Sequence, residues 1–349
     1  MKLDRRPAPH IRYQDTIATL MLDVITLLLV LSALAFLFYG IRALAVCAYS
    51  VAAAVISDVL CTLIRGKKFN PRDLSPIVTG LIIALAMPAT ISYYVVATAA
   101  AFAIIVVKHP FGGTGNNVFN PAAAGLSFAA ICWPQPVLKY PPPFAVLDVA
   151  GTFSEKLQAF VYGDTVIKLY QNPAFVLKLG GTPTNDIMEM VLGNYPGPMG
   201  ATNILVLLTC LIYLLFRHTI RWQLPISYLG SCAFMAFLFP RIGANGVQSL
   251  LYEMMSGMLL FGAVFIITDP ATSPKRDSSL AIYGIFTGII TMLFRYFGGF
   301  EESMSFAVLF ANVFAPIIDL NNESIHRIIR RKNLEVRKAQ KTQKAQPLG

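Results

Sequence analysis

The chain has 349 residues, 56% hydrophobic and 13% charged, with a mean hydropathy of +0.61 and a formal net charge of +10. This excludes a soluble domain, and also a soluble domain on one anchor helix, because the apolar character runs along the whole chain. Apolar runs of about 17 to 25 residues span a hydrocarbon core as helices, and period-two alternation is absent, so the sequence predicts an all-α integral membrane protein.

About ten transmembrane helices are predicted, over 16–39, 42–64, 74–89, 91–107, 119–133, 201–216, 223–240, 250–267, 278–297 and 302–319. The first run is too long for the apolar core of a signal peptide and is taken as the first span. The third ends ALAMPAT and the fifth begins FNPAAAG; such short, Pro- or Gly-interrupted spans are where membrane proteins build binding sites.

With the N-terminus in the cytoplasm, 21 of the 28 Lys and Arg fall on inside segments: the N-terminal arm, RGKKFNPRD, Lys108, Arg217, Arg221, Lys275, Arg276 and the tail. Both termini are therefore expected in the cytoplasm. The basic arms account for the net charge through contact with membrane lipid, and nucleic acid is not needed as a partner.

Four regions follow: residues 1–133 with five helices, an external insertion at 134–198, a second five-helix half at 199–320, and a basic tail at 321–349. An odd number of helices per half starts the second half on the opposite side, the condition for a five-plus-five inverted repeat. TGLIIALAMPAT can be laid on SGMLLFGAVFIITDPAT with a gap of about five residues. The insertion opens with the proline-rich WPQPVLKYPPPF and holds enough apolar residues to fold back over the membrane mouth.

Between the fourth and fifth spans lies KHPFGGTGNNVFNPAAAG, where Gly112, Gly113, Gly115, Asn116 and Asn117 leave backbone N–H groups free to line an anion or a polar ring. Asn120 sits at an N-cap position with Pro121 first in the helix. TDPATSPKR, with Asp269 and Thr272, makes a similar mouth after the eighth span. Two such mouths suggest a ligand held between helices; the alternative is a pair of ordinary caps.

Asp23, Asp58 and Glu253 lie within spans, where a carboxylate needs a partner or a wet cavity. One reading is an ion path. The other is that Asp58, near Arg65, and Glu253, near the end of its span, reach interfacial water. Thr182 in LGGTPTND and Thr202 in GPMGATN are small-residue settings in which a hydroxyl can accept a modifying group, or a turn residue and a helix cap. The five cysteines and four histidines are scattered, so no metal site and no autonomous catalytic group is expected.

FGGTGNNVFNPAAAG, LGNYPGPMGATN, FIITDPATSPKR and FRYFGGFEESMSFAVLFANVFAPIID, in this order, resemble the D subunit of the Rnf electron-transport complex, the ion-translocating ferredoxin:NAD oxidoreductase of bacteria. They are similar also to the B subunit of the sodium-translocating NADH:quinone reductase. The resemblance implies a ten-helix, non-autonomous subunit of the bacterial inner membrane. It would pass electrons through flavin, coupled to sodium or proton movement, beside iron–sulfur and flavin subunits.

The resemblance further implies FMN esterified to a threonine of an S-G-A-T-type segment facing outside, made by a flavin transferase, and riboflavin as a second flavin. In one register the attachment position falls on Asn172, which has no hydroxyl; in another it falls on Thr182. Thr202 aligns with a helix-entry motif. Non-covalent flavin between the helices stays open, as does a different class of function: a secondary transporter or channel for a small solute such as a flavin.

Overall fold

A computed structural model describes residues 17–66, 70, 73–145, 147, 149, 172–241, 246–320 and 322. Most of the N-terminal arm and of the basic tail, and residues 150–171 of the insertion, lie outside the described residues. The described residues are helical, with no strand among them. Each expected span has a helical counterpart, but among the described residues only three helices are long and apolar enough to cross a membrane alone, and a bent pair makes a fourth.

The first half comprises α1 (Ile17–Tyr39), α2 (Ile41–Ile64), α3 (Ser75–Leu85), α4 (Tyr93–Phe102, continued by a π-helical turn Ala103–Lys108) and α5 (Pro121–Cys132). The insertion contributes the short α6 (Pro134–Leu138), α7 (Pro173–Lys178) and α8 (Ile187–Leu192). The second half comprises α9 (Ile204–Phe216), α10 (Gln223–Leu238), α11 (Gly246–Met255), α12 (Leu259–Phe261, continued by a π-helical turn Gly262–Ile266), α13 (Asp277–Phe297) and α14 (Met304–Leu320). In both halves the second helix packs along the fourth: α2 on α4 and α10 on α13. Gly284 and Gly288 of α13 allow the second contact, because a Cβ at either would run into Ser227 or Ser231 of α10.

One apolar core runs through both halves, from Leu28 and Leu31 of α1 through Ile83 and Leu85 of α3 to Phe261 of α12 and Met292 of α13. Leu29, Phe36 and Leu37 of α1, Ile212 and Phe216 of α9, and Phe234 of α10 are exposed. Helices apolar on both faces, buried on one and bare on the other, are what a lipid-facing bundle requires.

Two helices stop inside the bundle, and their loose backbone groups are satisfied by other parts of the chain. Pro88 cannot continue α3. Gly200 N–H donates to the Leu85 carbonyl (2.7 Å), Met199 N–H to that of Met87 (3.1 Å), and Arg42 Nε to that of Ala89 (2.8 Å). The first residues of the second half and Arg42 of α2 thus close over the end of α3, while the insertion closes over α1, where Phe144 N–H donates to the Phe38 carbonyl at 2.8 Å.

The second stop lies between α11 and α12, which meet at 63°. Gly257 makes the corner at φ +70°, where a side chain would be strained and would also strike the Glu302 carboxylate. Arg295 donates to the carbonyls of Glu253 and Ser256, both at 3.1 Å, and Tyr195 Oη to that of Met255 at 3.0 Å. On the far side of the corner Met258 N–H donates to Glu302 Oε2 at 2.9 Å, a carboxylate on a helix N-terminus.

Candidate functional site

The two polar mouths face one cavity of about 230 Å³. Its apolar wall includes Met21 and Val24 of α1, Val78 and Ile82 of α3, and Phe265 of α12; its polar lining includes Lys108, Thr114, Asn117, Asn120 and Asp269. Asn120 fastens the two sides together. Its Oδ1 accepts from Ala123 N–H (3.0 Å), capping α5, while its Nδ2 donates to the Ile266 carbonyl (2.8 Å) at the end of α12. Both π-helical turns run into this cavity, one ending at Lys108 and the other contributing Val264 and Phe265. π-turns concentrate at functional sites.

The glycine loop takes left-handed backbone at Gly112, Gly113 and Gly115 (φ +121°, +98° and +89°), which only glycine adopts without strain. Gly115 lines the cavity. Gly112 instead packs under Asn116, so Gly112, Gly113 and Asn116 shape the loop without lining the cavity. Asn117 Oδ1 is buried and has no hydrogen-bond partner, leaving an acceptor available to a ligand. Asp269 accepts from Ala271 N–H (3.2 Å) and Thr272 Oγ1 (3.1 Å); Thr272 therefore supports Asp269 from behind. Burial raises the Asp269 carboxyl from its ordinary value against those two hydrogen bonds.

Beside the cavity, Lys108 is 2% exposed and its ammonium bridges Asp58 Oδ1 (2.8 Å) and Asp73 Oδ2 (3.0 Å). His109 Nε2 lies 2.9 Å from the same Asp58 oxygen, and Thr114 Oγ1 donates to Asp73 Oδ2 at 2.6 Å. Asp58 thus has ionic partners within the fold and does not depend on interfacial water; Arg65 turns away, donating to the His109 carbonyl. Burial pushes the Asp73 carboxyl up, but the Lys108 ammonium and hydrogen bonds from Thr114, Lys108 and Ser75 outweigh it and hold Asp73 below the usual carboxylate range.

Asp23 is paired as well, with Arg217 (3.3 Å) and Thr219 Oγ1 (3.0 Å). It stands in the second turn of α1, whose first turns line the cavity. The three carboxylates expected on an ion path are therefore split. Asp23 and Asp58 stand near the cavity, and Glu253 belongs to the corner between α11 and α12.

Glu253 is fully buried between Arg295 Nε (3.2 Å) and Arg241 Nε (3.3 Å), rather than reaching interfacial water. The Arg241 guanidinium also lies 4.2 Å from the centre of the Tyr296 ring.

The two threonines are placed in contrasting settings, both away from the cavity lining. Thr202 is 1% exposed, packed on Gly197, and the cap of α9 is its neighbour Asn203, whose Oδ1 accepts from Val206 N–H at 3.1 Å. Thr182 is exposed. Esterification is sterically open to Thr182 and closed to Thr202 in this conformation. Asn172 caps α7 by accepting from Ala174 N–H (3.1 Å).

Sequence reasoning missed Asp73 and Ser75, and counted Lys108 only as an orienting charge. Two signals were present: the D-x-S-P spacing, which gives the Asp73 turn with Ser75 N–H at 3.1 Å, and a lone lysine closing an apolar run before a glycine loop.

Residues 5–325 match the NQR2, RnfD, RnfE family. The chain is 31% identical over 333 residues to the D subunit of the ion-translocating oxidoreductase complex of Actinobacillus succinogenes, covering 89% of this chain and 94% of that protein. It is 32% identical over 313 residues to the D subunit of the Na(+)-translocating ferredoxin:NAD(+) oxidoreductase complex of Acetobacterium woodii (89% and 91%). To the proton-translocating counterpart of Clostridium ljungdahlii it is 29% identical over 314 residues (89% and 92%). A helical, multi-pass membrane chain matched over nearly its whole length in this way belongs to the NQR2, RnfD, RnfE family.

Proposed function

We propose that this chain is the D-type membrane subunit of an ion-translocating ferredoxin:NAD oxidoreductase complex, holding flavin in the cavity between its two halves and coupling electron passage to sodium or proton movement. The observation that carries this reading is the convergence of the GGTGNN and TDPAT mouths on one cavity with a buried, unpartnered Asn117 oxygen. The names of the relatives support the complex and the translocated ion.

The residues present fit a flavin ring. The apolar walls from α1, α3 and α12 suit a flat aromatic system; Asn117 offers an acceptor, Asp269 a carboxyl group, and Lys108 a positive charge. At about 230 Å³ the cavity lies below the ~300–1,000 Å³ of pockets that enclose whole drug-sized ligands, so a ring fits with its side chain leading outward. When bound, flavin supplies one- and two-electron redox chemistry.

The protein's own contribution is electrostatic. Negative charge arriving beside Lys108 competes with Asp58 and Asp73 for its ammonium, and a cation or proton entering near those carboxylates restores the balance in a region of low dielectric. Asp23 and Asp58 are the carboxylates assigned to this inner part of the path.

Both termini are assigned to the cytoplasm of a bacterium, with the cavity on that side of the inner membrane and the insertion outside. The second-on-fourth packing common to both halves supports a ten-span, five-plus-five inverted arrangement. Iron–sulfur and further flavin centres are assigned to partner subunits.

The test is to purify the assembled complex in mild detergent, denature it and assay each subunit for flavin. Released flavin attributable to this chain is expected, with Asp269→Leu reducing it. A correctly assembled wild-type chain carrying no flavin in any form overturns the electron-carrying role.

A further inference from the structure

The turn between α13 and α14 places two adjacent carboxyls, Glu301 and Glu302, against the corner of the broken helix. Glu301 is 5% exposed. Glu302 spends Oε2 on Met258 N–H, and its Oε1 is buried without a hydrogen-bond partner. From the insertion, Asn172 lies beside both carboxyls, where its amide favours their ionised forms. Asn172 is itself 5% exposed, and its Nδ2 completes no hydrogen bond. The pair therefore faces a buried donor held in reserve.

The charges around the pair come from every neighbouring element: Lys178 on α7, Arg295 on α13, Glu253 on α11, and Arg241 beyond α10. The phenols of Tyr140 and Tyr195 lie within electrostatic reach. Lys178 also donates to the Gly299 carbonyl, holding α7 onto the turn.

We propose that Glu301 and Glu302 form a proton-exchange site at the outer face, tied through α12 to the cavity. This rests on the proposed reading of the chain as an ion-coupled electron carrier. The link is one short rod. Glu302 holds the N-terminal end of α12, whose other end lines the cavity and accepts from Asn120 at Ile266. The eight residues Leu259–Ile266 span about 12 Å at α-helical rise, so a shift of α12 at the cavity reaches the Glu302 bond directly.

The step itself moves one proton between the Glu301 carboxyl and water on the outer face. The only bond broken or made is O–H, and no electron moves at this site. The carboxylate left behind is met by the Asn172 amide, Lys178 and Arg295 without rebuilding the surroundings. Burial, with Glu302 adding to it, pushes Glu301 up to about 8, so it holds its proton at neutral pH and can release it on a small change in surroundings.

The experiment is an infrared titration of the assembled complex in detergent, following the C=O stretch of protonated carboxyls, with wild type beside Glu301→Gln and Asn172→Ala. In wild type one carboxyl is expected to titrate with a midpoint near 8. Glu301→Gln should lose that band while keeping bound flavin, and Asn172→Ala should move the midpoint upward, because the donor that favours the anion is gone. In proteoliposomes, Glu301→Gln should retain electron transfer and lose the dependence of ion transport on outer pH. No carboxyl titrating between about pH 7 and 9, or a band unchanged in Glu301→Gln, overturns the proposal. The infrared band is read without turnover, so a wild-type complex lacking flavin would sink the electron-carrying reading and leave this site still testable.

Discussion

Asp58 Oδ1 is shared between Lys108 Nζ at 2.8 Å and His109 Nε2 at 2.9 Å, so one carboxylate oxygen of α2 meets two consecutive side chains at the end of α4. A carboxylate only accepts, which places a ring proton of His109 on Nε2. Lys108→Met leaves Asp58 and Asp73 without their shared cation. Removing one partner of a buried pair costs about 3–5 kcal/mol, and chemical unfolding in detergent should show a loss of that order. Adding Asp58→Asn should recover part of it, the pattern of a coupled pair in a double-mutant cycle.

Asn120 separates two jobs that can be tested apart. Asn120→Ala removes the α5 cap and the tie to Ile266, and loss of an N-cap alone costs about 0.5–2 kcal/mol. Asn120→Asp keeps the capping oxygen and loses only the donor to the Ile266 carbonyl. Thermal unfolding should rank wild type, Asn120→Asp and Asn120→Ala in falling order, and the flavin-to-protein ratio should drop in both variants.

For Asp23 the pairing with Arg217 decides the size of the effect. The Arg217 side chain is 49% exposed, and such pairs contribute about 0–1 kcal/mol. Asp23→Asn should therefore express and unfold like wild type while weakening ion-coupled activity of the assembled complex. Unchanged ion movement at unchanged expression removes Asp23 from the path.

Gly125 sets how closely α5 approaches α4. A Cβ there would lie 2.7 Å from the Ala99 carbonyl oxygen and 2.8 Å from Ile83 Cδ1. Backbone cannot yield as a flexible side chain does, so Gly125→Ala should destabilise by about 1–3 kcal/mol, the usual cost of overpacking. A melting temperature equal to wild type would contradict this close approach.

Stability should also fall with pH through Glu301. Its carboxyl is raised from 4.5 to about 8 in the fold, so between those values the unfolded chain has released a proton that the folded chain still holds. Its contribution is complete below pH 4.5 and is lost as pH rises to about 8. Glu301→Gln should flatten that part of the stability profile, measured by thermal unfolding in buffers across the range.

The helical positions and the Asn120 cap were legible because hydrophobic run length and the Asn-Pro signal are local properties of the chain. The partners of the charges were not. Asp58 and Lys108 stand 50 residues apart, and Asp23 and Arg217 stand 194 apart; no local pattern links them. Glu253 reads as a surface carboxylate near a span end until the corner at Gly257 draws Arg241, Arg295 and the turn before α14 around it. The same holds for the cavity: each polar mouth could be picked out, while their meeting depends on α3 and α12 both stopping short inside the bundle.

The π-helical turns leave a mark on how this protein tolerates length changes. A turn of this kind holds one more residue than the α-helix around it, so trimming a single residue from 103–107 lets the stretch tighten to ordinary α-helix. The residue removed is the one the wide turn had absorbed, so the side chains beyond the cut keep their direction, whereas the same cut in an ordinary α-helix swings them by about 100° around the axis. Lys108, the cation facing two carboxylates, would stay on its bearing through that deletion and lose it through the same deletion made earlier, in the regular part of α4.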